Sequence, residues 1–227
     1  MRRALILPLF FGLLGLAVFL SLGIWQVQRL QWKEGILADI EARIAGAPVA
    51  IPANPDPEAD RYLPVRATGQ ILPGAIRVLV STRQMGAGYR LIDVFETEGR
   101  RLLIDRGFLR LDLDQPAPPA GPVTVTGNLH WPDEVTSSTP APDRAANIWF
   151  ARDIPALAAE LGTEPVLVIA REISPPEANM MPLPVDTAGI PNDHLQYAGT
   201  WFLMALAWAV MTGYYIAGLR ARQKADR

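Results

Sequence analysis

His194, Trp201, Trp208 and Tyr215 recur at intervals of seven residues near one end of the chain, with Tyr197 three residues after the histidine. On a helix these side chains share one face, Tyr197 beside them. An imidazole at the outer mouth of an aromatic helix face can ligate a haem iron while the rings cover the porphyrin. The same spacing equally suits a histidine that caps its helix and rings that anchor at a bilayer edge or pack against a neighbour. Trp208 argues against a purely interfacial belt, because two heptads into such a helix it would sit near the bilayer midplane.

A second set lies near the other end. Trp25, Gln28, Arg29 and Trp32 fall on one helical face, with Lys33 nearby. The cations there can pair with a haem propionate, with lipid phosphate or with acidic side chains. Motifs for other chemistry are absent: the sequence has no G-x-S-x-G, P-loop, H-E-x-x-H or C-x-x-C pattern. With no cysteine, any metal must be held by His, Asp, Glu or Met. His130, in Leu129-His130-Trp131-Pro132, reads as a strand end, since a ligand or general base there would lack a second histidine in the middle of the chain. Arg106-Gly107-Phe108 and Gly88-Tyr89 read as strand ends and turns. The sequence therefore points away from an enzyme.

The elements that must position these residues follow from the distribution of charge. Half of the 227 residues are hydrophobic and 19% are charged. The apolar excess is concentrated in Ala4 to Gln28 and Leu195 to Leu219, neither of which contains Asp, Glu, Lys or Arg. Each is long enough to cross a hydrocarbon core of about 30 Å. The first run follows Arg2-Arg3, as in a signal peptide, but it exceeds an h-region and ends Leu22-Gly23-Ile24-Trp25-Gln26 without a small-x-small site, so a retained signal anchor is expected. Arg220, Arg222, Lys224 and Arg227 follow the second run, whereas Glu177 to Tyr197 has no Lys or Arg; the positive-inside rule puts both termini in the cytoplasm and the middle of the chain outside. Between the spans lie 15 basic and 22 acidic residues, a net of −7, which excludes nucleic acid as a natural partner.

The expected fold is membrane α+β: N- and C-terminal transmembrane helices flanking an antiparallel β-rich domain with a short helix. Residues 1–28 form the first span with a short cytoplasmic end. Residues 29–58 form an amphipathic stalk, with Leu30, Leu37, Ile40 and Ile44 on its apolar side, and then a connector stiffened by Pro48, Pro52, Pro55 and Pro57. In the β-rich domain, 59–173, runs at Tyr62–Ile71, Ile76–Thr82, Tyr89–Phe95, Leu102–Leu109 and Val123–Leu129 are too closely spaced for helical crossovers and read as an antiparallel sheet or small barrel. Asp153, Pro155 and Gly162 bracket a short helix, followed by a strand at Val166–Ala170. Residues 174–193 make an extended, proline-rich return, 194–219 the second span and 220–227 a basic cytoplasmic tail. On that span Ala205, Ala209, Gly213 and Ala217 form a small-residue stripe that would let another helix approach, Gly12, Gly15 and Gly23 of the first span being the nearest candidates.

Two stretches carry a resemblance. Leu22-Gly23-Ile24-Trp25-Gln26-Val27-Gln28-Arg29-Leu30-Gln31-Trp32-Lys33 resembles the first-span signature of the surfeit-locus family, and Asn192-Asp193-His194-Leu195-Gln196-Tyr197-Ala198-Gly199-Thr200-Trp201-Phe202 resembles that family's N-x-H-x-x-Y-A-x-x-W-F opening of the second span. Weaker matches lie between, at Pro64-Val65 with Gly69, Gly88-Tyr89, Ile104-Asp105-Arg106-Gly107-Phe108 and Asn147-Ile148-Trp149. The chain departs from the family where Phe108 stands for a Trp and where no Thr-Pro pair follows Gly88-Tyr89. The resemblance implies a non-catalytic assembly factor for haem-a-containing cytochrome c oxidase in the bacterial inner membrane. It implies haem a as a transient cargo, His194 as axial ligand of the haem iron, and the oxidase catalytic subunit, haem a synthase and membrane lipid as partners. Tyr197, Trp201, Trp25 and Arg29 would complete the haem site if the spans pack side by side. A haem-free scaffold that holds oxidase subunits is the competing implication.

Overall fold

The computed structural model describes residues 3–225, so Arg2 and Arg227, two of the flanking charges, lie outside the described residues. In chain order the elements are helix α1 (Arg3–Ile44), strands β1 (Pro64–Thr82), β2 (Gly86–Thr97), β3 (Arg100–Arg110), β4 (Val123–Leu129) and β5 (Ile148–Trp149), helix α2 (Ile154–Leu161), strand β6 (Leu167–Ser174) and helix α3 (His194–Ala225). They fall into two compact units, one formed by the helices up to Asp39 and from Ala188 onward, the other by Ile40–Thr187. The two terminal helices are long and apolar enough to cross a bilayer. The chain is a two-pass membrane protein of α+β class. α1 runs as one helix through Ile44, and α3 continues past Leu219 into the basic segment.

In the second unit the strands close on themselves. The first part of β1 pairs antiparallel with β4, from Pro64↔Asn128 to Gly69↔Val123, and its second part with β2, from Ile76↔Ile92 to Thr82↔Gly86. β2 pairs with β3, β3 with β6 and β6 with β4, which completes a five-stranded ring with β5 added to β1. The two runs expected at Tyr62–Ile71 and Ile76–Thr82 are therefore one bent strand. Pro73 cannot donate to the ladder and Gly74 takes a φ of +121°, so the register breaks between Leu72 and Ile76 without ending the strand. Closure leaves the ring without a long free edge. The pairing is antiparallel except at β3–β6 and β1–β5, which are parallel. The long connection through β5 and α2 brings the chain back so that β6 starts beside the start of β3, which a hairpin could not do.

β3 is buried without interruption from Leu102 to Leu109, because it faces a core on either side. Leu102 and Ile104 point into a core shared with Val65, Phe95 and Val125, while Leu103 points the other way, into a second core under α2 with Ile154, Leu157 and Leu167. The caps of α2 are those its sequence predicts: Asp153 accepts from the Ala156 amide at 3.2 Å, and Gly162 ends the helix in the left-handed region at φ +64°.

Within β3, Arg106 is fully buried between Asp93, at 2.9 Å, and Glu177 of the return segment. Gly107 takes a φ of +111°, and a Cβ there would lie 2.3 Å from the Met181 carbonyl. That close approach lets Phe108 and Met181 exchange two backbone hydrogen bonds, of 2.8 and 3.1 Å. Arg90, paired with Asp105 at 2.6 Å, also donates to the Leu183 carbonyl. The Arg106-Gly107-Phe108 motif is thus not the strand end or turn expected: it lies within β3, where the register with β2 shifts between Arg90 and Ile92, and its work is to clamp the prolines of the return segment to the ring.

Burial sets two opposed titrations in this unit. Desolvation outweighs the Arg106 guanidinium and raises the Asp93 carboxyl to about 6. Desolvation, with Arg152 and Arg61 nearby, lowers His130 to about 4. Between pH 4 and 6 the folded state holds an extra proton on Asp93, so that group's contribution to stability falls as pH rises; it lacks a proton on His130, whose contribution rises over the same interval and on to its unfolded value near pH 6.5. Relative to the parent chain, Asp93→Asn should make stability climb more steeply with pH between 4 and 6, and His130→Gln should do the reverse. Thermal melts of the detergent-solubilised chain across that range check both signs.

Candidate functional site

The first unit contains the residues singled out for chemistry. α1 and α3 run antiparallel and mesh along one seam, Gly12, Gly15, Phe19, Gly23 and Gln26 on α1 meeting Thr212, Trp208, Trp201, Phe202 and His194 on α3. The steps of three and four residues are those of a helix pair with a heptad seam. Ala198 and Ala205 are buried on the α3 side. Ala209, Gly213 and Ala217 are exposed, and nothing approaches Gly213. The small residues that permit contact between the two helices are therefore chiefly the glycines of α1, while the α3 stripe beyond Ala205 faces away.

The reason is Trp208. Its ring lies where a Cβ on Gly15 would sit, 2.5 Å from the indole, and its Nε1 donates to the Gly12 carbonyl at 3.0 Å. An indole N–H near the middle of a membrane helix has no water to bond, so the extra acceptor on a glycine carbonyl satisfies it. Phe19 fills the next layer, stacked on Trp201 and edge-on to Trp208, each at a centroid distance of 6.1 Å.

At the end of the seam His194 Nδ1 lies 2.8 Å from Gln26 Oε1. Gln26 is 9% exposed, one of the few buried polar side chains among the described residues. An amide oxygen in this position accepts a proton held on Nδ1, and in the neutral ring that leaves the lone pair on Nε2. Two residues before His194, Asn192 presents a buried side-chain oxygen with no hydrogen-bond partner. The mouth of the seam thus offers an imidazole with one nitrogen tied and the other open, plus an unsatisfied acceptor.

The other candidates surround this point unequally. Trp201 is half-buried in the seam against Phe19. Tyr197 and Trp25 are exposed, at 57% and 53%. Arg29 lies one turn beyond Gln26, its guanidinium 3.7 Å above the Trp32 ring. His194, Trp201 and Trp208 share a face, as their spacing predicts, but α1 covers that face, while Tyr215 is exposed. Among the described residues there is no cluster of three His, Asp or Glu that could hold a metal.

Sequence reasoning passed over Gln26, although a visible signal marks it: it is polar within an uncharged apolar run and stands seven residues after Phe19. The seam itself is open to test. Gly15→Leu drives a side chain into Trp208 and should cost about 1–3 kcal/mol by overpacking, whereas Gly213→Leu, with open space around it, should leave the melting midpoint within about 1 °C. Thermal unfolding of the two variants in the same detergent separates them.

A model of the SURF1 family matches residues 13–206, a span that takes in both Gln26 and His194. The SURF1-like protein of Rickettsia felis is 30% identical over 217 residues, covering 89% of this chain and 94% of its own. Surfeit locus protein 1 of Xenopus tropicalis is 29% identical over 82% of this chain and 68% of its own, and that of Homo sapiens 27% identical over 82% and 70%. With the family model matching most of its length and a rickettsial relative aligned nearly end to end, the chain belongs to the bacterial branch of the SURF1, or surfeit-locus, family.

Proposed function

We propose that this protein is a non-catalytic assembly factor for haem-a-containing cytochrome c oxidase, which binds haem a as cargo through His194 and aids its insertion into the oxidase catalytic subunit. Family membership is consistent with a role in oxidase assembly. The observation that supports the haem reading is the imidazole at the mouth of the helix pair, engaged by Gln26 at Nδ1, which leaves Nε2 as the ligating nitrogen of the neutral ring. Metal-bound histidines commonly donate their second nitrogen to a carbonyl or carboxylate in this way. Haem a brings its own four nitrogen ligands, so a single protein ligand is enough to hold its iron.

The remaining residues match the amphipathic character of that cargo. Tyr197 and the exposed edge of Trp201 offer apolar surface for the ring, as does Trp25 on the neighbouring helix. Arg29, one turn farther toward the water, supplies a cation for a propionate. In this reading both termini are cytoplasmic and the ring of strands lies in the periplasm of a bacterial inner membrane, with haem a synthase upstream and the oxidase subunit downstream of the transfer.

A second reading, the haem-free scaffold that holds oxidase subunits during assembly, draws support from the seam. Trp201 and Trp208 are already engaged by Phe19, Gly12 and Gly15, so they have less free surface for a porphyrin than their spacing alone offers. The visible spectrum of the full chain, purified from cells that make haem a, decides between the two. A bound-haem spectrum that disappears in His194→Ala, with the oxidase subunit still co-purifying, is the expected result. Absence of haem from both proteins while subunits co-purify would establish the scaffold.

A further inference from the structure

We infer that Gln26 is the positioning residue of the site, setting which nitrogen of His194 is free for the cargo iron and how strongly that nitrogen donates to it. The inference rests on the haem-carrier reading but concerns a residue of the other helix. Gln26 is buried, it occupies a seam position that Phe19 fills one heptad earlier, and its Oε1 stands 2.8 Å from Nδ1. An amide at an apolar seam costs desolvation that a leucine would not. Interhelical hydrogen bonds in membranes return only about 0.6 kcal/mol on average. Packing alone therefore does not explain a glutamine here; control of the imidazole does.

The control has two parts. Accepting the Nδ1 proton fixes the tautomer, so the lone pair is on Nε2 whether or not iron is present. Polarising that N–H makes Nε2 a better donor, which favours ferric over ferrous iron and lowers the reduction potential of whatever haem is bound. A glutamine that merely joined α1 to α3 would do neither. Losing such an outer partner typically costs about 10- to 100-fold in metal affinity.

The test uses the full-length protein in lipid nanodiscs, haem a itself as the probe, and the variants Gln26→Leu, Gln26→Glu and His194→Ala. Without haem, the 15N shifts of the His194 ring should show a protonated Nδ1 and a bare Nε2 in the parent, and a mixture of tautomers in Gln26→Leu. With haem, Gln26→Leu should bind about 10- to 100-fold more weakly and at a higher potential, and Gln26→Glu, which retains an acceptor, should restore affinity with a potential at or below that of the parent. An unchanged tautomer, affinity and potential in Gln26→Leu would overturn the inference. So would weaker binding in Gln26→Leu at the parent's potential, or a failure of Gln26→Glu to rescue, because either describes a packing role. If His194→Ala keeps the parent's haem spectrum, the carrier reading fails instead, and the ring-nitrogen shifts still report on Gln26 by themselves.

Discussion

A polar group at the seam of two membrane helices has lipid on one side and protein on the other, and neither offers it water. That constraint organises the first unit of this protein. The indole N–H of Trp208 is satisfied by the Gly12 carbonyl and the His194 Nδ1 by the Gln26 side chain, so the antiparallel pair is held at two depths by polar contacts between packed aromatic layers. The glycines at positions 12 and 15 permit the first contact, because any larger residue would collide with Thr212 or Trp208. The register so set brings Gln26 opposite His194. What the outermost imidazole can do chemically therefore depends on small residues well down the helix from it.

The other unit follows a different logic. Its strands close into a ring, which removes the edges that an open sheet would otherwise expose. Buried ions hold the chain's return from that ring: Arg106 joins Asp93 on β2 to Glu177 in the segment after β6, and the left-handed Gly107 lets the backbone of that segment approach. Such a network is weak as a source of net stability, since the desolvation it requires is large. It is specific, however, because Arg106 has its full set of partners only when the return segment lies in place. A segment rich in proline, with few donors for a ladder, needs side-chain clamps of this kind.

How much of this the sequence disclosed depended on the range of the interaction. Uncharged runs, helix caps and alternating strands are local, and they yielded both spans, α2 with its Asp153 and Gly162 ends, and most of the strands. The resemblance of the residues around Trp25 and His194 to the surfeit-locus family added the family itself. Pairing across the chain was less visible. The merger of two runs into a bent β1 depends on β4 and β2 as partners for its two parts, and the parallel β3–β6 pairing on a connection that no local pattern describes. On α3 the sequence offered the four-residue stripe of small residues as the helix contact, whereas the heptad of large rings is what meets α1, its aromatic side chains fitting over the glycines there. Gln26 was hidden for the same reason: a single polar residue in a span acquires meaning only when its partner on another helix is known.

The claim on which the rest depends is that α1 and α3 pack in this register, and the absence of native cysteine makes it directly measurable. Cysteine pairs can be placed at Gly12 with Thr212, where the close contact lies, and at Gly12 with Gly213, which faces away. Oxidation in native membranes should then cross-link the first pair within one chain rapidly and leave the second reduced. Efficient cross-linking of the second pair, with none in the first, would contradict the seam and with it the placement of Gln26 against His194.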